Sequence, residues 1–202
     1  MTKTPDAFFG LARICAGKRG DKESRLLLTN VQKMFDTDSV RLRAQITEGL
    51  TYHDSGQWAK ARQSADALGR MLQTAKEKPD AHLCLEMAEL MFATGNKEAP
   101  VDLLQDVVKN NNENQALLAD VQRVFDKGRM SEKGAELVAA WCNEAKDTMN
   151  KGVLLWKEGK LDEAADWLRN ARKEWPNNTR FLMNLTHVLI SCMQKTGYDP
   201  VL

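Results

Sequence analysis

The chain has 202 residues, of which 43% are hydrophobic and 28% charged, a composition typical of a folded globular protein and unlike that of a collagenous or low-complexity chain. Its 29 lysine and arginine residues nearly balance its 28 aspartate and glutamate residues. This balance argues against a nucleic-acid partner, since general nucleic-acid binders carry a basic excess. No stretch approaches the ~20 consecutive apolar residues of a membrane span, so we expect no membrane partner either.

Good helix formers dominate the chain, and its apolar residues recur at steps of three and four. Strand signals are weak, because apolar and polar residues do not alternate for long and the usual hairpin turns do not occur. The sequence therefore predicts an all-α protein of about eleven helices. In chain order they cover residues 5–16, 22–35, 39–55, 58–75, 79–94, 97–109, 114–127, 132–143, 145–158, 161–175 and 179–195.

Most breaks between these helices contain glycine, proline or asparagine, which commonly end or start helices. The break near Glu144 has no such residue and is placed only by the repeat spacing described below. Because the connectors are only a few residues long, consecutive helices are expected to form antiparallel pairs. A chain of such pairs is either a bundle or an α-solenoid, and internal repeats decide between the two.

An internal repeat is clearest from Ala145 to Asn178. Counted from Ala145 as position 1, its positions 8, 11, 15, 20, 24, 27 and 32 are Gly152, Leu155, Gly159, Ala164, Leu168, Ala171 and Pro176. This pattern resembles the tetratricopeptide repeat, a helix–turn–helix unit of about 34 residues. Small residues at positions 8 and 20 allow the two helices to cross closely. Glycine at position 15 ends the first helix with a positive φ, and proline at position 32 stops the second.

Further copies of the pattern begin near residues 42, 81, 114 and 179. The copy near 42 has Gly49, Tyr52, Gly56 and Ala61 at positions 8, 11, 15 and 20. The copy near 81 keeps Gly95 at position 15 but has Pro100 at position 20, where the first turn of a helix tolerates proline. The copy near 114 keeps little beyond Gly128, and the last copy supplies only a first helix.

The repeats predict a superhelical α-solenoid of antiparallel helix pairs over residues 39–196. Residues 1–38 are expected to form a further helical pair, a degenerate repeat or a cap, because the repeat pattern does not fit there. Residues 197–202 are expected to be a tail or the truncated start of another helix, since Asp199 and Pro200 are typical of a helix opening.

The stretch from Asn110 to Asn178 is also similar to the C-terminal repeat region of certain bacterial response regulators. The similarity lies in NNNENQALLADVQRVFDKGRMSEKGAEL and NKGVLLWKEGKLDEAADWLRNARKEWPNN, which together span about a third of the chain. It implies two-component signalling in the cytoplasm. The receiver domain of that group alternates strands and helices, a pattern not found here. We therefore assign no phosphoacceptor aspartate and expect the chain to be an output fragment.

No catalytic or metal-binding constellation is recognisable in the sequence. No nucleophile is placed by a recognisable motif near His53, His82 or His187, and the four cysteines are far apart along the chain. Glu86 and Glu89 lie one helical turn apart, a spacing that suits a bound cation but is better interpreted as an exposed charged face. We therefore expect no enzyme activity, no metal and no cofactor.

In tetratricopeptide repeats, positions 2, 5, 9, 12 and 13 of each first helix usually point into a concave groove. In the copies near 145 and 179, the resemblance implies that these positions line a partner-binding groove, to which Asn184 at position 6 of the last copy is added. The groove residues are Lys146, Met149, Val153, Trp156, Lys157, Arg180, Met183, Asn184 and His187. Its apolar floor and basic rim favour an acidic peptide or protein. Earlier copies place Arg43, Ile46, Leu50, His53, Asp54, His82, Leu85, Glu89, Phe92 and Ala93 at groove positions.

Two alternatives to a peptide-binding groove remain open. Met183 and Ile190 are equally suited to covering the core. An exposed apolar end face would also drive self-assembly into a homodimer without a peptide groove.

Overall fold

A computed structural model describes residues 5–19, 21–74, 76 and 78–197. This described part of the chain contains ten α-helices and no strand, which confirms the predicted all-α class. The predicted helix opening at Asp199 and Pro200 lies outside the described residues. The helices are α1 (Pro5–Arg19), α2 (Asp21–Met34), α3 (Asp38–Asp54), α4 (Trp58–Thr74), α5 (Ala81–Ala93), α6 (Ala99–Asn110), α7 (Gln115–Lys127), α8 (Ser131–Lys157), α9 (Leu161–Glu174) and α10 (Thr179–Thr196).

The predicted break near Glu144 is wrong. α8 is a single helix of 27 residues that replaces the two helices predicted over residues 132–143 and 145–158. Residues 140–148 contain neither glycine nor proline, so nothing in the sequence interrupts the backbone hydrogen bonds there. The predicted number of about eleven helices falls to ten in the described residues for this reason.

Five of the described helices end with a residue in the left-handed conformation, and for α10 this residue is Gly197, with φ of 70°. After α3, α5 and α8 this residue is Gly56, Gly95 or Gly159, with φ of 73°, 90° and 76°. After α7 it is Arg129, with φ of 56°, and not the expected Gly128. After α3, α5, α7 and α8, the N–H of the left-handed residue donates to the carbonyl three residues earlier, and the next N–H donates to the carbonyl five residues before it. These paired bonds satisfy carbonyls at the helix end.

The chain divides into two compact units. The first unit comprises Met1–Leu104 and Asp126–Arg129, and the second comprises Gln105–Phe125 and Met130–Leu202. In the first unit α3 packs against α1, α2, α4 and α5. Its core contains Phe9, Ala12, Leu28, Val31, Val40, Ala44, Leu42, Ile46, Leu50, Leu68, Leu83, Met87 and Leu90.

Two ion pairs in the first unit correct the expected exposed face of Glu86 and Glu89. Arg43 donates from Nε to both carboxylate oxygens of Glu86, at 3.1 and 2.9 Å, and from Nη2 at 2.6 Å. Hydrogen bonding to Glu86 raises the pKa of the Arg43 guanidinium. Glu89 Oε1 lies 2.8 Å from Lys127 Nζ. Both glutamates are therefore partly buried partners of basic side chains.

In the second unit, α8, α9 and α10 pack against one another. The core between them consists of small residues and large apolar side chains, namely Ala145, Ala164, Ala165, Leu168, Ala171, Trp175, Phe181, Leu185 and Val188. The rings of Trp175 and Phe181 stack with centroids 5.4 Å apart. Asn178 Nδ2 donates to Asn112 Oδ1 at 2.9 Å within the protein interior, which links the turn before α7 to the start of α10.

Glycines mark close approaches between helices. A Cβ on Gly152 of α8 would lie 2.6 Å from Leu168 Cδ2 of α9, and a Cβ on Gly49 of α3 would lie 2.8 Å from Leu90 of α5. A Cβ on Gly134 of α8 would lie 2.7 Å from Phe125 of α7. These distances are shorter than van der Waals contact, so a side chain at any of these positions would have to displace its neighbour.

Candidate partner-binding surfaces

The nine groove residues predicted at the C-terminal end lie on α8 and α10, and we call them the α8–α10 surface. Trp156 is fixed where the two helices meet, because its Nε1–H donates to Ser191 Oγ at 3.0 Å. The Ser191 hydroxyl in turn donates to the carbonyl of His187 at 3.0 Å. The Trp156 and His187 rings lie 6.2 Å apart between centroids. The structure therefore brings Trp156 and His187 together.

Exposure divides the α8–α10 surface into two groups. Lys146, Lys157, Arg180, Met183 and His187 are exposed, and the side chain of Met183 is 59% accessible. The half-buried members are Met149, Val153, Trp156 and Asn184. Met149 and Trp156 pack against the core of the second unit, so these two side chains also stabilise the fold.

Glu113, in the turn before α7, is an acidic neighbour of this surface that the sequence did not predict. Its Oε2 accepts hydrogen bonds from the Thr179 N–H at 2.8 Å and the Thr179 hydroxyl at 2.9 Å. Its Oε1 lies 3.3 Å from Arg180 Nε. A carboxylate at the N-terminus of α10 is favourable because the helix dipole is positive there. Arg180 consequently offers less free positive charge to a partner than Lys146 or Lys157.

A second concavity lies wholly within the first unit, between α3, α5 and the end of α7. It has a volume of about 550 Å³. Six of the predicted groove positions of the first two repeat copies line it, together with four residues that the sequence did not predict. The full lining is Leu50, His53, Asp54, Glu89, Phe92, Ala93, Lys97, Lys127, Gly128 and Arg129.

Neither surface groups its described side chains as a metal centre requires. Among the described residues, no group of three or more histidine, cysteine, aspartate or glutamate side chains is placed to hold a metal ion. No helix in the described part combines the length and the apolar character needed to cross a membrane. Comparisons of the chain with models of protein families, with curated proteins and with solved structures found no match.

Proposed function

We propose that the chain is a tetratricopeptide-like α-solenoid that acts as a protein–protein interaction scaffold. The observation that carries this proposal is a recurring local geometry. Four of the five left-handed residues, at positions 56, 95, 129 and 159, are each followed five positions later by a buried residue with a compact side chain. These buried residues are Ala61, Pro100, Gly134 and Ala164. A turn and a compact contact at a fixed interval are what stacked helical hairpins require.

The partner that best suits the α8–α10 surface is an acidic peptide or protein segment. Met183 and the half-buried Trp156 offer apolar and aromatic contacts, which commonly dominate binding energy. Lys146 and Lys157 are exposed at its rim and attract carboxylates. The resemblance of residues 110–178 to response-regulator repeats supports a cytoplasmic role as the output region of a two-component system.

Two variants of the full chain test this surface by affinity capture from a bacterial lysate. Lys157→Glu/Trp156→Ala reverses a rim charge and removes the central aromatic side chain. Lys157→Glu/Met183→Glu changes only exposed side chains, so it leaves the core intact. We expect both double variants to bind at least one captured protein about tenfold more weakly than the wild type does.

Lys133→Glu is the matched control, because Lys133 is an exposed lysine of α8 outside the α8–α10 surface. Its captured proteins are expected to equal those of the wild type. Equal recovery of every captured protein by the wild type and by both double variants would contradict the proposed surface.

Self-assembly is the second candidate function, and one observation favours it. α10 exposes four large apolar side chains, a pattern typical of a face that another chain covers. They are Leu182, Met183, Ile190 and Met193.

A further inference from the structure

The concavity of the first unit has an apolar floor. Leu50 is only 5% exposed and Phe92 is half-buried. Gly128 lies against the Phe92 ring, where an added Cβ would be 2.8 Å from Cγ. The backbone at the end of α7 therefore approaches the ring closely, and residues 127–129 form one wall of the concavity.

The side chains that line this concavity include basic groups that no carboxylate of the described residues neutralises. Of the two lining acids, Glu89 is paired with Lys127 at 2.8 Å, and Asp54 lies 3.5 Å from Arg13. Lys97 and Arg129 also line the concavity, and neither forms an ion pair within the described part of the chain. Two cations consequently stand beside an apolar floor without a carboxylate partner.

The backbone of Arg129, in the wall formed by residues 127–129, is in the left-handed conformation, with φ of 56°. The equivalent left-handed position after α3, α5 and α8 is glycine, which adopts a positive φ without steric cost. A residue with a Cβ is strained in that conformation. Arg129 thus occupies a backbone position that glycine would adopt at lower steric cost, and its side chain lines the concavity. Such strain commonly accompanies a functional side chain.

We propose that this concavity binds an acidic peptide segment of a partner protein. An apolar side chain of the peptide lies on Leu50 and Phe92, and a neighbouring side-chain carboxylate pairs with Lys97 and Arg129. The segment is recognised by adjacent apolar and acidic groups. This second surface belongs to the first unit, so the proposal stands whether or not the α8–α10 surface binds a partner.

NMR titration of the ¹⁵N-labelled full chain with two capped tripeptides tests this site. Acetyl-Leu-Glu-Leu-amide supplies apolar side chains and one side-chain carboxylate, and acetyl-Leu-Gln-Leu-amide is its neutral match. With the glutamate peptide at millimolar concentration, we expect the amide signals of Phe92, Gly128 and Arg129 to shift. We expect its dissociation constant to be about fivefold lower than that of the glutamine peptide.

Three variants assign that preference to the named cations. Arg129→Gly removes the guanidinium but suits the left-handed backbone, so it is expected to abolish most of the preference without lowering the unfolding midpoint. Lys97→Ala is expected to weaken the preference, and the exposed Lys133→Ala in the second unit is expected to leave it unchanged. Equal binding of both peptides, or no shift at these three amides, would overturn the proposal.

Discussion

Gly152 lies where α8 and α9 meet, and its neighbours leave no room for a side chain. A Cβ there would approach Leu168 Cγ to 2.8 Å and Trp167 Cδ1 to 3.3 Å. Leu168 is fully buried, so it has little space into which to move. The close approach of the two helices therefore depends on the absence of a side chain at this residue.

We expect Gly152→Val to lower the free energy of unfolding by about 2 kcal/mol, because overpacking a buried contact displaces the core. Urea denaturation followed by circular dichroism measures the change. Gly69→Val in α4 is the matched control, since no atom lies within 4 Å of a Cβ built on Gly69. The control is expected to change stability by about 0.5 kcal/mol or less. An equal loss in both variants would mean that packing against Leu168 is not the cause.

The residues at helix turns were predictable only in part. Gly56, Gly95 and Gly159 were each expected to end a helix, and each has the positive φ that favours glycine. In the copy near 114 the left-handed residue is Arg129, one position after the expected glycine. The five-residue spacing from Arg129 to the compact residue Gly134 matches that of the other turns and indicates Arg129. The general preference of left-handed positions for glycine indicates Gly128 instead.

α8 is the helix on which sequence and structure differ most. From Arg129 to Gly159 the left-handed residues are 30 positions apart, whereas Gly95 and Arg129 are 34 apart. The four missing residues correspond to about one helical turn. The turn predicted near Glu144 is therefore absent, and the two helices predicted on either side of it form one continuous helix.

Glu144→Pro tests this continuity. Proline within a helix removes one hydrogen bond and clashes with the carbonyl four residues earlier, so we expect a loss of about 3 kcal/mol in the free energy of unfolding. At the start of a separate helix, proline would be tolerated. Urea denaturation and ellipticity at 222 nm measure the effect, and Glu144→Ala is expected to leave both nearly unchanged. Wild-type stability in Glu144→Pro would contradict a continuous α8.

Other helix bounds were predictable to within about three residues, because caps and breakers mark them. Asp80 Oδ1, for example, accepts from the Leu83 N–H at 2.8 Å and caps α5. The ion pairs between distant segments were not predictable. Glu113 and Arg180 are 67 positions apart, and nothing local in the sequence indicates that they meet.

The whole chain is expected to be monomeric at micromolar concentration. One exposed helix face offers less area than the ~800 Å² that each partner buries in a stable interface, so the apolar side of α10 alone is insufficient. Light scattering across a dilution series measures the mass. A dimer that dissociates on dilution and is abolished by Ile190→Glu, but not by Leu11→Glu on α1, would favour self-assembly over the scaffold.

The lining of the concavity in the first unit was predictable in part as a set of positions, but its chemistry was not. Six groove positions of the first two copies do line one concavity, because a helical period places them on common faces. The helical period does not predict Lys97 and Arg129, because these residues lie in the turns that follow α5 and α7. Turn residues are positioned by backbone geometry, which the repeat spacing does not encode.

The continuous α8 has a mechanical consequence. Through Gly134 it packs on α7, and through Gly152 it packs on α9, so one rigid rod of about 40 Å belongs to two hairpins. In ordinary arrays a flexible joint allows neighbouring hairpins to fray separately. Because α8 is continuous, we expect its contacts with α7 and with α9 to melt and re-form together.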